Sequence, residues 1–281
     1  MKLVLGTVQL GLDYGVSNQL GQVSVNQAHE ILKTALNLGI NTFDTAAAYG
    51  NSETILGSFL PQDSKIISKL PPQVNNAQSI EQLLNCSFDK LQVSQLHALM
   101  LHDADLLIKN PDILLQLKKL KKDKKITKIG ASFYFPEQLE ACLEFDLDII
   151  QIPANILDQR FIKAGLLNKL KEKGIEIHVR SVFLQGLLLM NIAELSEYFH
   201  QFKILYKLDK HLSSISLNRL SASLGFLKSI PQIDALVVGC CHYKELIQIK
   251  QAFEQAPAFN ASAFKSQDLA LIYPANWPQR R

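Results

Sequence analysis

The sequence predicts an α/β fold, a single-domain (β/α)8 barrel of the TIM type, and three observations carry that expectation. Eight short β-branched or apolar runs alternate with amphipathic segments almost from end to end. Their starts recur at a mean spacing of roughly 33 residues, which suits one β–α unit per repeat. Polar residues close successive runs at their carboxyl ends, where a barrel builds its mouth. The chain has 281 residues, and barrels of this kind run to about 250 residues as one unit. A doubly wound sheet is the alternative. Against it, no Gly-x-Gly-x-x-Gly follows the first run and no P-loop motif occurs.

The strand candidates, in order, are Leu3–Val8, Thr42–Thr45, Lys65–Leu70, His97–Leu101, Lys128–Ser132, Ile149–Ile152, Ile175–Arg180 and Ala235–Cys240. Each is bounded by helical patterning. Ser24 precedes an Ala28/Ile31/Leu32/Ala35/Leu36 stripe, with Gly39 placed to end that helix. Ser79 with Gln82 has the form of a capping box for Ile80–Leu91. Pro111-Asp112 opens a helix that ends in the lysine cluster Lys118–Lys125, read as a solvated helix end whose cations complement the dipole. Gly174 ends a helix starting near Ile162, and Ile192–Phe199 reads as a short helix inside the long connection Phe183–Ser214. No linker, repeat or composition shift divides residues 1–281, so one domain is expected, with a tail from about residue 255.

Composition narrows the function classes. Lys+Arg 29 against Asp+Glu 26 leaves +3, too weak a field for a nucleic-acid or anionic-membrane partner. No window reaches the ~18 apolar residues of a membrane span, and Met1–Thr7 lacks the features of a secretory signal. A cytoplasmic protein with reduced thiols is expected, as a monomer or weak homo-oligomer. Cys86, Cys142, Cys240 and Cys241 have no metal-ligand spacing, so no metal is expected.

Four residues carry chemistry. Asp44, Lys69 and His102 end the second, third and fourth strands, and Tyr49 follows Asp44 by five residues. Barrel topology brings a carboxylate, an ammonium, an imidazole and a phenol to one mouth. Such a set suits protonation of a carbonyl oxygen. Free tyrosine, with a pKa near 10, is a weak acid at neutral pH. A neighbouring lysine is expected to lower that pKa, with Asp44 holding the lysine and His102 either orienting the substrate carbonyl by a hydrogen bond or assisting proton relay. The set contains no electron source, so reduction requires a cofactor that supplies hydride.

The stretch Asp44-Thr45-Ala46-Ala47-Ala48-Tyr49-Gly50-Asn51-Ser52-Glu53 resembles the signature of the aldo-keto reductases, and Lys69 and His102 fall where that family completes its tetrad. Gly6-Thr7, Gly130-Ala131-Ser132, Gln151, Arg180-Ser181, Gly186-Leu187-Leu188 and Val238-Gly239 continue the match over about residues 1–255. The resemblance implies reduction of a small-molecule aldehyde or ketone, with NADP(H) as cofactor and NAD(H) as the other candidate, and with Tyr49 as general acid. It further implies a nucleotide site formed by Gly6, Thr7, Asp44, Ser132, Gln151, Arg180, Ser181, Phe183, Gly239, Cys241 and Gln248. Ser132 and Gln151 would hold the carboxamide, and strand eight with its following helix would hold the adenosine. Departures from the pattern are Arg180 where many members stack a tyrosine, Phe133 in place of Asn, Glu245 where an arginine often lies, and Ile249 in place of Asn. Glu245 is expected to repel a 2′-phosphate unless a cation such as Lys244 compensates.

Substrate choice is expected in Leu10–Gln22 with Asp13 and Tyr14, in the segment after His102, in Phe133–Phe135, in Phe183–Ser214 and in the tail, where Tyr273 and Trp277 either lid the pocket or pack on the flank. Asp13 and Arg180 point to a polar, sugar-like substrate. Two rival readings are a nucleotide-sensing regulatory subunit on the same fold and a lyase working through a Schiff base at Lys69.

Overall fold

The computed structural model describes residues 1–71 and 80–278. Ser79, and with it the capping box expected there, lies outside the described residues. Eight parallel strands close into a barrel in chain order: β1 (Lys2–Gly6), β2 (Thr42–Asp44), β3 (Lys65–Leu70), β4 (Leu96–Leu101), β5 (Ile126–Ser132), β6 (Ile149–Pro153), β7 (Glu176–Arg180) and β8 (Ala235–Val238). Closure is made by β8 pairing with β1, Lys2 opposite Ala235 and Leu5 opposite Val238.

The sequence placed all eight strands and misjudged some ends. β1 stops at Gly6 because Val8 opens the helical turn Val8–Gly11, and β8 stops at Val238, short of the expected Cys240. Helix Val25–Asn37 is capped by Ser24, whose side chain accepts from Gln27 while Gln27 reaches back to Ser24. Its Ala28, Ile31, Leu32 and Ala35 stripe is buried against the barrel, and Gly39 follows at φ +73°, left-handed as expected after a helix end. The single helix expected from Ile162 to Gly174 is two, Arg160–Lys163 and Leu166–Glu172, broken by Gly165 at φ +69°. The connection after β7 holds more than expected: 3-10 turns at Leu187–Leu189 and Ile192–Glu194, then helices Glu197–His200 and Lys203–Ser214. The lysine cluster is paired rather than merely solvated, Lys118 with Asp146, Lys121 with Asp148 and Lys125 with Glu81.

Strand alternation sorts the barrel interior into layers. Ile67, Ala98, Met100 and Ile149 form a small fully buried cluster inside the sheet, separate from the larger core between sheet and helices. Gly130 makes room for it, since a Cβ there would lie 2.4 Å from the Ile149 carbonyl. Two residues further along the same strands come Lys69, His102, Ser132 and Gln151, so a polar layer at the carboxyl ends follows from the apolar one beneath it.

Candidate active site

The polar layer opens into a cavity of about 860 Å³, within the ~300–1,000 Å³ of small-molecule sites. All of the expected site residues line it: Asp44, Tyr49, Lys69 and His102 toward β2–β4, Ser132, Gln151, Arg180, Ser181 and Phe183 toward β5–β7, and Gly6, Thr7, Gly239, Cys241 and Gln248 around β1 and β8. Asp13 does not line it and instead accepts from Asn18.

Asp44 anchors the arrangement. Lys69 Nζ donates to Asp44 Oδ1 at 2.5 Å and to the Thr45 carbonyl at 3.0 Å, and Gln151 Nε2 donates to Asp44 Oδ2 at 2.8 Å. Both charged side chains are almost wholly buried, a condition tolerated only because they are paired and hydrogen-bonded. Tyr49 sits on a tight turn. Its amide donates to Ala46 and its carbonyl accepts from Ser52. Gly11 and Gly50 let two backbones meet there, because a Cβ on Gly11 would lie 1.8 Å from the Tyr49 carbonyl and one on Gly50 2.3 Å from the Gly11 carbonyl. Ser52 Oγ ties this turn to Thr7 Oγ1 at 2.8 Å and to Thr45 Oγ1 at 3.1 Å, while Thr7 donates to the Asp44 carbonyl. The Thr7 hydroxyl is therefore engaged in the scaffold.

The Tyr49 ring meets His102 edge-on, centroids 5.7 Å apart, and Lys69 Nζ lies 5.3 Å from the Tyr49 centroid. Burial pushes the Tyr49 phenol above its ordinary range, the Asp44 carboxylate pushes it further, and Arg180 pulls the other way. This corrects the expectation that Lys69 acidifies Tyr49. With Asp44 at 2.5 Å, Lys69 presents an ion pair rather than a bare cation, and the phenol stays protonated at neutral pH. Burial, with the Lys69 and Arg180 charges, lowers His102 to about 4, so its imidazole is neutral. His102 Nδ1 is buried without a hydrogen-bond partner among the described residues.

Residues the sequence did not single out complete the cavity. Arg160 lines it while forking onto Asp158, with Nε to Oδ1 at 2.9 Å and Nη2 to Oδ2 at 2.8 Å. Gln9 lines it with a buried, unpartnered Oε1. Gln9 lies three residues past β1, while Arg160 opens the short helix Arg160–Lys163 seven residues beyond β6, so spacing from a strand end does not single it out. Tyr14, which burial pushes up to about 12, lines the same wall. From the tail, Tyr273 reaches the cavity and meets Tyr134 and Phe135 at 6.0 and 5.3 Å, while Trp277 packs on Phe199 at 4.9 Å. Tyr273 thus lines the cavity, while Trp277 packs on the flank. Arg180 takes no salt bridge with a carboxylate among the described residues. It donates to Ser132 Oγ, Ser181 Oγ and the Phe133 carbonyl. Cys240 is buried, and burial raises its thiol pKa, which suits a packing role.

Among the described residues no helix is long and apolar enough to cross a membrane, and no group of three or more His, Cys, Asp or Glu is placed to hold a metal ion. A dinucleotide fits the donor set. One continuous cavity joins Tyr49 and His102 at one end to Gly239 and Gln248 at the other, with the Ser132 hydroxyl and the Gln151 amide between.

Comparison with known proteins agrees with this architecture. A curated relative, the glyoxal reductase of Bacillus subtilis (strain 168), is 29% identical over 174 residues, 59% of this chain. The match spans 62% of that protein's length. An aldo-keto reductase from Bacillus halodurans in its holo form superposes with a TM-score of 0.75 at 21% identity, over 91% of this chain and 87% of that one. A Pseudomonas aeruginosa protein assigned to the aldo-keto reductases superposes with a TM-score of 0.67 at 23% identity, over 90% of each chain. The profile of the Aldo/keto reductase family matches residues 2–267, and the chain belongs to that family.

Proposed function

We propose that this protein reduces an aldehyde or ketone to the alcohol using NAD(P)H, with Tyr49 as the general acid. The observation that carries the reading is the convergence of Tyr49, His102 and the Lys69–Asp44 pair at the inner end of the cavity. A bound reduced nicotinamide supplies hydride. Everything else falls to the chain. His102, neutral because burial disfavours its cation, donates a hydrogen bond to the carbonyl oxygen and leaves protonation to the phenol. Tyr49, kept neutral by burial, holds the proton until charge develops on that oxygen. Asp44 fixes Lys69, and Gln151 fixes Asp44. A Schiff base at Lys69 would first have to break the 2.5 Å ion pair, which argues against the lyase reading. The likeness to a glyoxal reductase supports a small aldehyde as substrate.

The adenosine end favours NADH over NADPH. Glu245 Oε2 accepts the Cys241 amide at 2.8 Å and His242 Nδ1 accepts the Lys244 amide at 3.2 Å, so two amides around the start of helix Tyr243–Gln255 are engaged by the chain's own groups. A 2′-phosphate placed there meets the Glu245 carboxylate. Titration with NADH and NADPH, followed by an aldehyde panel, tests both points. NADH is expected to bind at least tenfold more tightly, with turnover of small aldehydes. Binding of neither nucleotide refutes the function, and tighter binding of NADPH refutes the assignment to Glu245 alone.

A further inference from the structure

We infer that Arg180 makes the cavity discriminate between the two oxidation states of a nicotinamide, holding the reduced ring more tightly than the oxidised one. The inference rests on the cofactor reading above and goes beyond it, because it assigns a charge-selective role to one wall residue. Among the described residues three cations line the cavity, and two are matched: Lys69 by Asp44 at 2.5 Å, Arg160 by the Asp158 fork. Arg180 is the third. Its guanidinium is fixed by three neutral acceptors, Ser132 Oγ at 3.3 Å, Ser181 Oγ at 3.3 Å and the Phe133 carbonyl at 3.1 Å, and lies 4.3 Å from the Tyr134 ring centroid. None of these contacts cancels its charge. Because arginine does not give up its proton in proteins, the wall keeps a fixed positive charge at any working pH.

Arg180 also stands close to the reacting groups. Its partner Ser132 lies opposite Gln151 in the β5–β6 register, and Gln151 donates to Asp44, which holds Lys69. Its field reaches the phenol and the imidazole: it opposes burial and Asp44 at Tyr49, and it acts in the same direction as burial and Lys69 at His102. A ring that delivers hydride beside Tyr49 and His102 therefore sits in the same field. The reduced ring is neutral and the oxidised ring carries one positive charge. The fixed cation repels only the second. The enzyme then stays loaded with reduced nucleotide when both forms are present, and the oxidised product leaves readily.

The test is the affinity ratio within each pair, NADH against NAD⁺ and NADPH against NADP⁺, measured by calorimetry on the whole chain and on R180M, R180Q and R180K. Packing changes act on both forms and cancel in the ratio, which charge alone moves. In the wild type the reduced form is expected to bind more tightly. In R180M and R180Q that preference should fall about tenfold, equivalent to 1.4 kcal/mol or about 30 mV in the potential of the bound couple. R180K should keep most of it. R180Q retains hydrogen-bonding capacity toward Ser132 and Phe133, so it serves if R180M melts. A ratio unchanged in the neutral variants, or a wild type that prefers the oxidised form, overturns the inference while leaving the cofactor reading intact. Failure of all four nucleotides to bind overturns both.

Discussion

The barrel carries a polar layer at each end, each with a carboxylate, a lysine and a histidine, and the two behave differently. At the amino-terminal floor, Glu176 accepts from Lys2 at 3.0 Å, from Lys128, and from His178 Nε2 at 2.7 Å. One carboxylate gathers three donors, and its acidity rises accordingly, the His178 hydrogen bond contributing most. At the mouth, Asp44 satisfies Lys69, but Arg180 is left without a carboxylate partner among the described residues, and His102 Nδ1 faces no protein acceptor or donor. His178 Nδ1 is likewise unpartnered, yet His178 does not line the cavity. Buried charge alone therefore does not mark a site. What marks it is polar capacity left open beside space for a ligand, which fits the general division of such barrels into a stabilising floor and a reactive mouth.

The strongest way to break the comparison is at Tyr49. Tyr49→Phe removes one oxygen from the mouth, and turnover is expected to fall about 10³-fold, within the range for a lost general acid, with nucleotide affinity unchanged. A Tyr49→Phe enzyme that reduces carbonyls at the wild-type rate would place the acid elsewhere. Next is a matched pair of lysines. Lys69→Met strands Asp44 as an uncompensated buried charge, a change that costs about 3–5 kcal/mol. Lys128→Met removes one of three donors from a partly exposed carboxylate, where screening limits the cost to about 1 kcal/mol. Denaturant melts should separate the two clearly, and only Lys69→Met should abolish turnover. Equal losses of stability would show that the two layers are alike after all.

How much of this was legible in the sequence depends on the range of each interaction. Strands written as short β-branched or apolar runs and helices with a cap and an apolar stripe, such as Ser24 with Val25–Asn37, are local, and the sequence places them to within a few residues. The four chemical residues were legible because barrel topology turns strand ends into neighbours. The helix pair split at Gly165 was not, since glycine within a helical pattern is tolerated as often as it breaks one. Helix Lys203–Ser214 was missed because it is an insertion outside the β–α repeat, despite a buried Leu205/Leu208/Leu212 stripe. The charge state of the mouth was the least legible feature. Whether Lys69 acts as a free cation depends on a 2.5 Å contact across 25 residues, and whether Arg180 has a carboxylate partner depends on the folded neighbourhood of the β5 and β7 ends. Spacing shows which groups meet. It does not show which of them are already matched.

The smallest effect distinguishes the layers by pH. Burial lowers one histidine at each end, His97 near the floor and His102 at the mouth, to about 4 from an ordinary value near 6.5. Between those values the unfolded chain binds more protons than the folded one, so stability is full above pH 6.5 and declines as pH falls toward 4. Glu176 adds to the loss at lower pH. Its carboxylate is held below its ordinary range in the folded state, so its contribution is present above about pH 4.5 and fades beneath it. Thermal melts from pH 7.5 to 4 should therefore show a plateau, a slope starting near 6.5 and a steeper fall below 4.5. His97→Gln and His102→Gln should each flatten the first slope to a similar extent, because both imidazoles are lowered to about 4, and only His102→Gln should lower turnover. A midpoint that stays constant from pH 6.5 to 5 would mean that neither imidazole is held neutral by burial, and His102 would then gain its proton already below its ordinary value near 6.5 instead of staying a neutral donor down to about 4.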